Sequence, residues 1–102
     1  MTTDTTEPKN VREIPAEFKK GENSVSSGKF RQLKANDKAY IYERKDGDQT
    51  YWEVFVRRVL KNWQGEEYYY VPYPREASFG KWAWCYNNFD KAMKKFNELT
   101  NR

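Results

Sequence analysis

The chain reads as an α+β domain: a twisted antiparallel sheet of four to five strands, laid out as a meander, with one C-terminal amphipathic helix packed on one face. Three observations predict it. Short runs rich in aromatic and β-branched residues recur from Phe30 to Tyr86, bounded by Gly, Pro, Asn or Asp. The segment after Asn88 carries its apolar residues at helical spacing. Four Trp, eight Tyr and six Phe crowd into 102 residues, and all but Phe18 lie from Phe30 onward.

Residues 1–28 are rich in Thr, Ser, Pro and Gly and poor in large apolar side chains. Such a segment buries too little surface to offset its ordering entropy, so it is predicted to be a disordered N-terminal tail ahead of a single small domain at 29–102. The chain has 19 basic and 15 acidic residues; the tail holds Lys9, Arg12, Lys19 and Lys20 against Asp4, Glu7, Glu13, Glu17 and Glu22. The domain is therefore more basic than the whole-chain charge of +4. Its size is near the ~70–80 residues below which one core gives little stability without a staple. Cys85 is the only cysteine and histidine is absent, which leaves no internal disulfide and no usual zinc site. Large rings, each burying on the order of 150–250 Å², are the available substitute.

Phe30-Arg31-Gln32-Leu33-Lys34 reads as a short opening strand, and Ala39 to Lys45 as a second. Asp46-Gly47 then signals a hairpin, because Gly accepts positive φ without strain. The return strand runs from about Thr50 to Lys61, Asn62-Trp63-Gln64-Gly65 reverses the chain again, and Glu66 to Val71 forms the next strand. Pro72 and Pro74 stop it, since proline cannot donate to a central ladder. After a connector comes Lys81 to Tyr86, a last strand in which Ala83 and Cys85 are small enough to let a helix approach. Asn87-Asn88 offers an N-cap with Asp90 in the first turn. Phe89, Ala92, Met93, Phe96 and Leu99 then form a single apolar stripe.

The hairpins assign faces. A two-residue loop at Asp46-Gly47 pairs Ile41 with Trp52 and Tyr42 with Tyr51; a four-residue loop shifts the pairs but preserves the faces. Carried through the Asn62–Gly65 turn, the alternation puts Trp52, Val54, Val56, Leu60, Tyr69 and Val71 inside, with Tyr73 at the margin. The opposite face receives Tyr40, Tyr42, Tyr51, Phe55, Arg57, Val59, Tyr68 and Tyr70. One helix covers one face, so the second ring-bearing face needs another cover. Three covers compete: the tail, through Ile14, Pro15 and Phe18; a second copy of the chain; or water, with the tyrosines lying flat among charged stems.

Little here supports catalysis. Without histidine there is no Ser-His-Asp or Cys-His arrangement. Glu66 and Glu67 are adjacent and point to opposite faces of a strand. Asp46-Gly47-Asp48 is explained by turn chemistry and lacks the remaining ligands of a calcium loop. A non-enzymatic binding module without metal or cofactor is expected. Its candidate binding residues are Tyr40, Tyr42, Tyr51, Phe55, Arg57, Tyr68 and Tyr70. A protein partner or a homodimer suits a surface of Tyr and Arg. Single-stranded nucleic acid is the alternative, because rings stack on bases and cations follow phosphates. Trp63 at a turn tip either folds back onto the sheet edge or projects as an anchor, and folding back is the reading preferred. Lys91, Lys94 and Lys95 form a solvated helix face laced with weak ion pairs to Asp90 and Glu98. No leader or membrane span is expected from the sequence, and a cytoplasmic location is anticipated.

Overall fold

A computed structural model of the chain describes residues 10–20 and 28–102; residues 1–9 and 21–27 of the predicted tail lie outside that description. Among the described residues seven strands precede one helix: β1 (Glu17–Lys20), β2 (Gly28–Ala35), β3 (Ala39–Asp46), β4 (Gln49–Val56), β5 (Leu60–Asn62), β6 (Tyr68–Tyr70), β7 (Ala83–Tyr86) and α1 (Phe89–Thr100). They fall into two compact units. One comprises Pro15–Arg57 and Pro74–Arg102; the other comprises residues 10–14 and Arg58–Tyr73.

The larger unit is the antiparallel sheet β1-β2-β3-β4-β7 with α1 packed on one face. Asp46 pairs with Gln49, so Gly47 and Asp48 form the two-residue loop, and Gly47 supplies the positive φ at its first position. Ile41 therefore opposes Val54, and Tyr40 opposes Phe55. That register lies two residues from the one a loop at Asp46-Gly47 gives, and the faces are unchanged, as period-two alternation requires. At the β2–β3 turn Asn36 accepts from the backbone of Lys38 and Ala39 and donates to the Thr100 hydroxyl, tying the turn to the end of α1.

The helix-side core joins Ala39, Ile41 and Val54 of the sheet to Ala92, Phe96 and Leu99 of α1, with Trp52, Trp84, Tyr86 and Met93 around them. Asn88 is the N-cap: its extended backbone stops the helix, and its side chain accepts from the Lys91 amide at 3.0 Å.

Three sequence expectations are corrected. Glu17–Lys20, assigned above to the tail, is a strand paired with β2. The fourth strand ends at Val56 instead of running to Lys61, because β7 takes the free edge of β4: Phe55 opposes Ala83, and the Val56 amide donates to Trp82 O. An edge accepts one neighbour, so residues 60–70 pair among themselves. Third, Trp84 and Tyr86 face the helix, whereas Ala83 and Cys85 oppose Phe55 and Glu53 on the other side. On α1 Lys95 pairs with Glu98, an ion pair of the kind expected there, and its ammonium also lies 4.1 Å from the Trp84 ring centre.

In the smaller unit β5 and β6 form a two-stranded sheet, with Lys61 opposite Tyr69 and Asn62 opposite Tyr68. Asn62 donates to the carbonyls of Gln64 and Glu66, and Gly65 has φ +66°, which together close the turn. Arg12 adds to the open edge of β6: its amide donates to Tyr69 O, and its carbonyl accepts from the Val71 amide. Ile14 and Val71 are buried. Among the described residues no helix is long and apolar enough to cross a membrane.

Asn88→Ala removes the side-chain acceptor at the first turn of α1. It is expected to lower stability by about 1 kcal/mol, read as a smaller urea midpoint at unchanged slope.

Candidate functional site

Of the seven candidate binding residues, Tyr40, Tyr42, Tyr51, Phe55 and Arg57 lie in the larger unit and Tyr68 and Tyr70 in the smaller. Tyr40, Tyr42 and Phe55 do lie on the face opposite the helix, but they are 2%, 0% and 0% exposed. Their rings form a layer. Tyr40 and Phe55 stack at 5.3 Å and 12°, Tyr42 and Phe55 at 5.9 Å and 12°. Trp82 closes one end, edge-on to Phe55 at 6.4 Å. Phe18 closes the other, edge-on to Tyr42 at 5.7 Å and stacked on Phe30 at 4.6 Å. The Tyr42 hydroxyl donates to Pro15 O at 2.7 Å and accepts from Gln32 Nε2 at 3.0 Å. Of the three covers considered above, the tail is present at the Tyr42 end of the layer, through Pro15 and Phe18. These rings are core residues, and the docking face assigned to them does not exist in the folded chain.

Tyr51 and Arg57 remain half-buried. Tyr51 carries the Arg44 guanidinium over its ring at 4.5 Å. Arg57 lines a shallow depression of about 350 Å³ with Asp37, Lys38, Val56, Leu99 and Arg102. Tyr68 and Tyr70 belong to the separate β5–β6 sheet, 5.8 Å apart, because the long strand that was to join the two groups ends at Val56.

Within the ring layer sits a charge. Glu53 is 1% exposed, opposes Tyr42 and Cys85, and accepts from Arg44 Nε at 2.7 Å. Burial alone would lower the Arg44 pKa, but the charge and hydrogen bond of Glu53 hold it above its ordinary value. Cys85 hydrogen-bonds to Arg44 and lines a cleft of about 460 Å³ with Tyr51, Tyr86, Asn87 and Lys91. Cys85 is exposed as a residue, yet withdrawal of its thiol from water raises its pKa, and the Glu53 carboxylate adds to the rise against the opposing pull of Arg44. The thiol is thus protonated at neutral pH and offers a weak nucleophile. Among the described residues no three His, Cys, Asp or Glu side chains cluster as metal ligands.

The β5–β6 turn presents the ring that sequence reasoning placed wrongly. Trp63 is 72% exposed, so it projects instead of folding back. Lys61 Nζ stands 4.0 Å from the Trp63 ring centre and 3.6 Å from a Glu67 carboxylate oxygen, with Tyr69 on the same side at 5.7 Å. On the other side of the hairpin Arg12 stacks on Tyr68 at 3.7 Å and pairs with Glu66 at 3.2 Å. The signal for Trp63 was legible: a tight turn closed by Asn62 and Gly65 has no packing use for an indole.

No protein-family model, curated protein or solved structure matches this chain.

Two outcomes test the buried pair and the thiol. Arg44→Met leaves the Glu53 charge uncompensated and is expected to lower stability by about 3–5 kcal/mol, while Arg44→Met with Glu53→Leu recovers most of the loss; urea unfolding of the three chains measures both. The alkylation rate of Cys85 against pH should have its midpoint above that of a free cysteine, because the folded environment disfavours the thiolate.

Proposed function

We propose that the protein is a non-enzymatic protein-binding module that docks through the tip of the β5–β6 hairpin, with Trp63 as the anchor. The observation that carries this reading is the exposure of Trp63, the most exposed large hydrophobic side chain among the described residues. An indole in water forfeits the burial free energy that its size would otherwise supply, and Trp is among the residues most enriched at interface hot spots. The hairpin supports it. Lys61 packs on one side of the indole, and Arg12, Tyr68 and Tyr70 give the other side of the strand pair a mixed aromatic and cationic character. The seven-residue aromatic set named from the sequence thus contributes Tyr68 and Tyr70 to this surface, while Tyr40, Tyr42 and Phe55 serve the core.

Single-stranded nucleic acid remains a weaker reading of the same hairpin. Rings are present, but Arg12 and Lys61 are each paired with a carboxylate, Glu66 and Glu67. Phosphate would have to displace those pairs.

The test compares wild-type protein and Trp63→Ala. Self-association is followed by sedimentation over a concentration series, and hetero-association by affinity capture followed by titration with the purified captured protein. A hot-spot tryptophan predicts at least a ~10-fold loss of affinity in the variant with unchanged near-UV spectra of the remaining rings. A chain that is monomeric throughout, and that retains no protein lost by the variant, overturns the reading. Fluorescence quenching of Trp63 by oligonucleotides at low salt, fading as salt rises, would favour nucleic acid instead.

A further inference from the structure

We infer that the outer edge of β2 is a peptide-accepting groove that the chain fills with its own segment Pro15–Lys20, and that its external ligand is an extended segment of a partner protein with the order aromatic, any residue, basic.

The resident segment shows what the groove recognises. It adds β1 to β2 antiparallel, with Glu17 opposite Arg31, Phe18 opposite Phe30, Lys19 opposite Lys29 and Lys20 opposite Gly28. Main-chain recognition extends beyond the strand: the Gln32 amide donates to Ala16 O at 2.7 Å, and the Tyr42 hydroxyl donates to Pro15 O at 2.7 Å. One side chain fills the pocket. Phe18 stacks on Phe30 at 4.6 Å with 7° between the planes and meets Tyr42 edge-on. Lys20 brings its ammonium to 5.3 Å from the Phe30 ring, so a cation two residues after the aromatic has a partner. Glu17 opposes Arg31, whose guanidinium is engaged by Glu43 at 3.2 Å, so the groove sets no side-chain requirement there. Aromatic, any and basic are therefore read from Phe18, Lys19 and Lys20.

Two features make this segment exchangeable where the inner strands are not. Pro15, Ala16, Glu17 and Lys19 are exposed, so Phe18 is its one large apolar anchor. The Tyr42 hydroxyl also accepts from Gln32 Nε2 within the sheet, so departure of Pro15 frees only its proton, which the carbonyl of an incoming strand can accept. Phe30, in contrast, is only 2% exposed with the segment in place, and vacating the groove would bare it. An incoming strand must then bring a ring of its own. Strand addition at a sheet edge, with main-chain bonds for affinity and a side-chain pocket for specificity, is an established recognition mode. These residues differ from those of the Trp63 hairpin, so the two readings stand or fall separately.

The test uses the full chain carrying Phe18→Ala and a labelled peptide, Ile-Pro-Ala-Glu-Phe-Lys-Lys, copied from residues 14–20. Polarisation is expected to show saturable binding at least tenfold tighter to the variant than to wild type, whose own strand competes, and none for the peptide with Ala in place of Phe. Equal weak binding to both chains, with the variant still folded by near-UV circular dichroism, overturns the inference. So does self-association of the wild-type chain that Phe18→Ala abolishes, since the occupant is then a second copy. If the variant fails to fold, hydrogen exchange of wild type decides. The Gln32 amide, bonded to Ala16 O, should exchange at least a hundredfold faster than amides paired between β3 and β4; exchange of both only by global unfolding overturns the groove.

Discussion

The stack of Tyr40, Tyr42 and Phe55 is the contact on which the larger unit depends. A sheet with a helix on one face has a second face to close, and this chain has no disulfide or usual zinc site with which to compensate for leaving it wet. Three rings at centroid separations of 5.3 to 6.1 Å close it. Aromatic pairs of this geometry contribute about 0.5–1.5 kcal/mol each beyond the area they bury. Phe18 and Trp82 finish the layer from opposite ends of the unit's sequence. Cohesion on the helix side comes from smaller residues, Ala39, Ile41, Val54 and Ala92, around Phe96 and Leu99. The two faces thus use different means: close helix approach on one, ring stacking on the other.

The ion pair inside the ring layer adds register. Arg44 opposes Tyr51 and Glu53 opposes Tyr42, so the two charged residues meet diagonally across β3 and β4. A slip of one residue would turn Glu53 toward the helix-side core of Ala39, Ile41 and Val54, where no cation stands among the core residues. A slip of two would keep the face, and in the direction that sets Glu53 opposite Tyr40 it would part Glu53 from Arg44. Stacked rings tolerate sliding better than a buried carboxylate tolerates losing its guanidinium, which is how a polar pair can specify what apolar packing leaves loose. Burial is the larger cause of the raised Cys85 thiol pKa, and the same charge adds to it.

How much of this was legible in the sequence follows from which forces are local. The α1 stripe and its cap are set by spacing within one element: the stripe was readable to the residue, and the cap to the pair Asn87-Asn88, of which Asn88 serves. The faces of β3 and β4 were readable because period two survives an error in loop length. The extent of β4 was not. Nothing between Val56 and Lys61 breaks a strand, and its end is decided by competition for an edge with β7, which begins 27 residues later at Ala83. The same competition reversed the faces assigned to Ala83 and Cys85: small residues suit a close helix, but they equally suit the ground opposite Phe55 and Glu53. Glu17–Lys20 escaped notice because its composition is that of a tail, and its order rests on main-chain pairing with β2 and on Phe18 meeting Phe30 and Tyr42.

The candidate site was misplaced for a related reason. Tyr and Arg are the currency of interfaces and of amphipathic cores alike, so composition cannot separate rings that bind from rings that pack. What separates them is whether the fold supplies a ring partner. Phe55 finds Tyr40, Tyr42 and Trp82 within the sheet unit, whereas Trp63 has a lysine ammonium over its face and remains 72% exposed. Phe18 falls between these cases: it has ring partners, but it reaches them from an edge segment with no other large apolar anchor. A ring held by many neighbours cannot be recruited without unfolding the sheet, whereas an exposed ring can be. The intermediate case is where one bound segment can be traded for another, because the sheet can lose that ring and keep its inner strands.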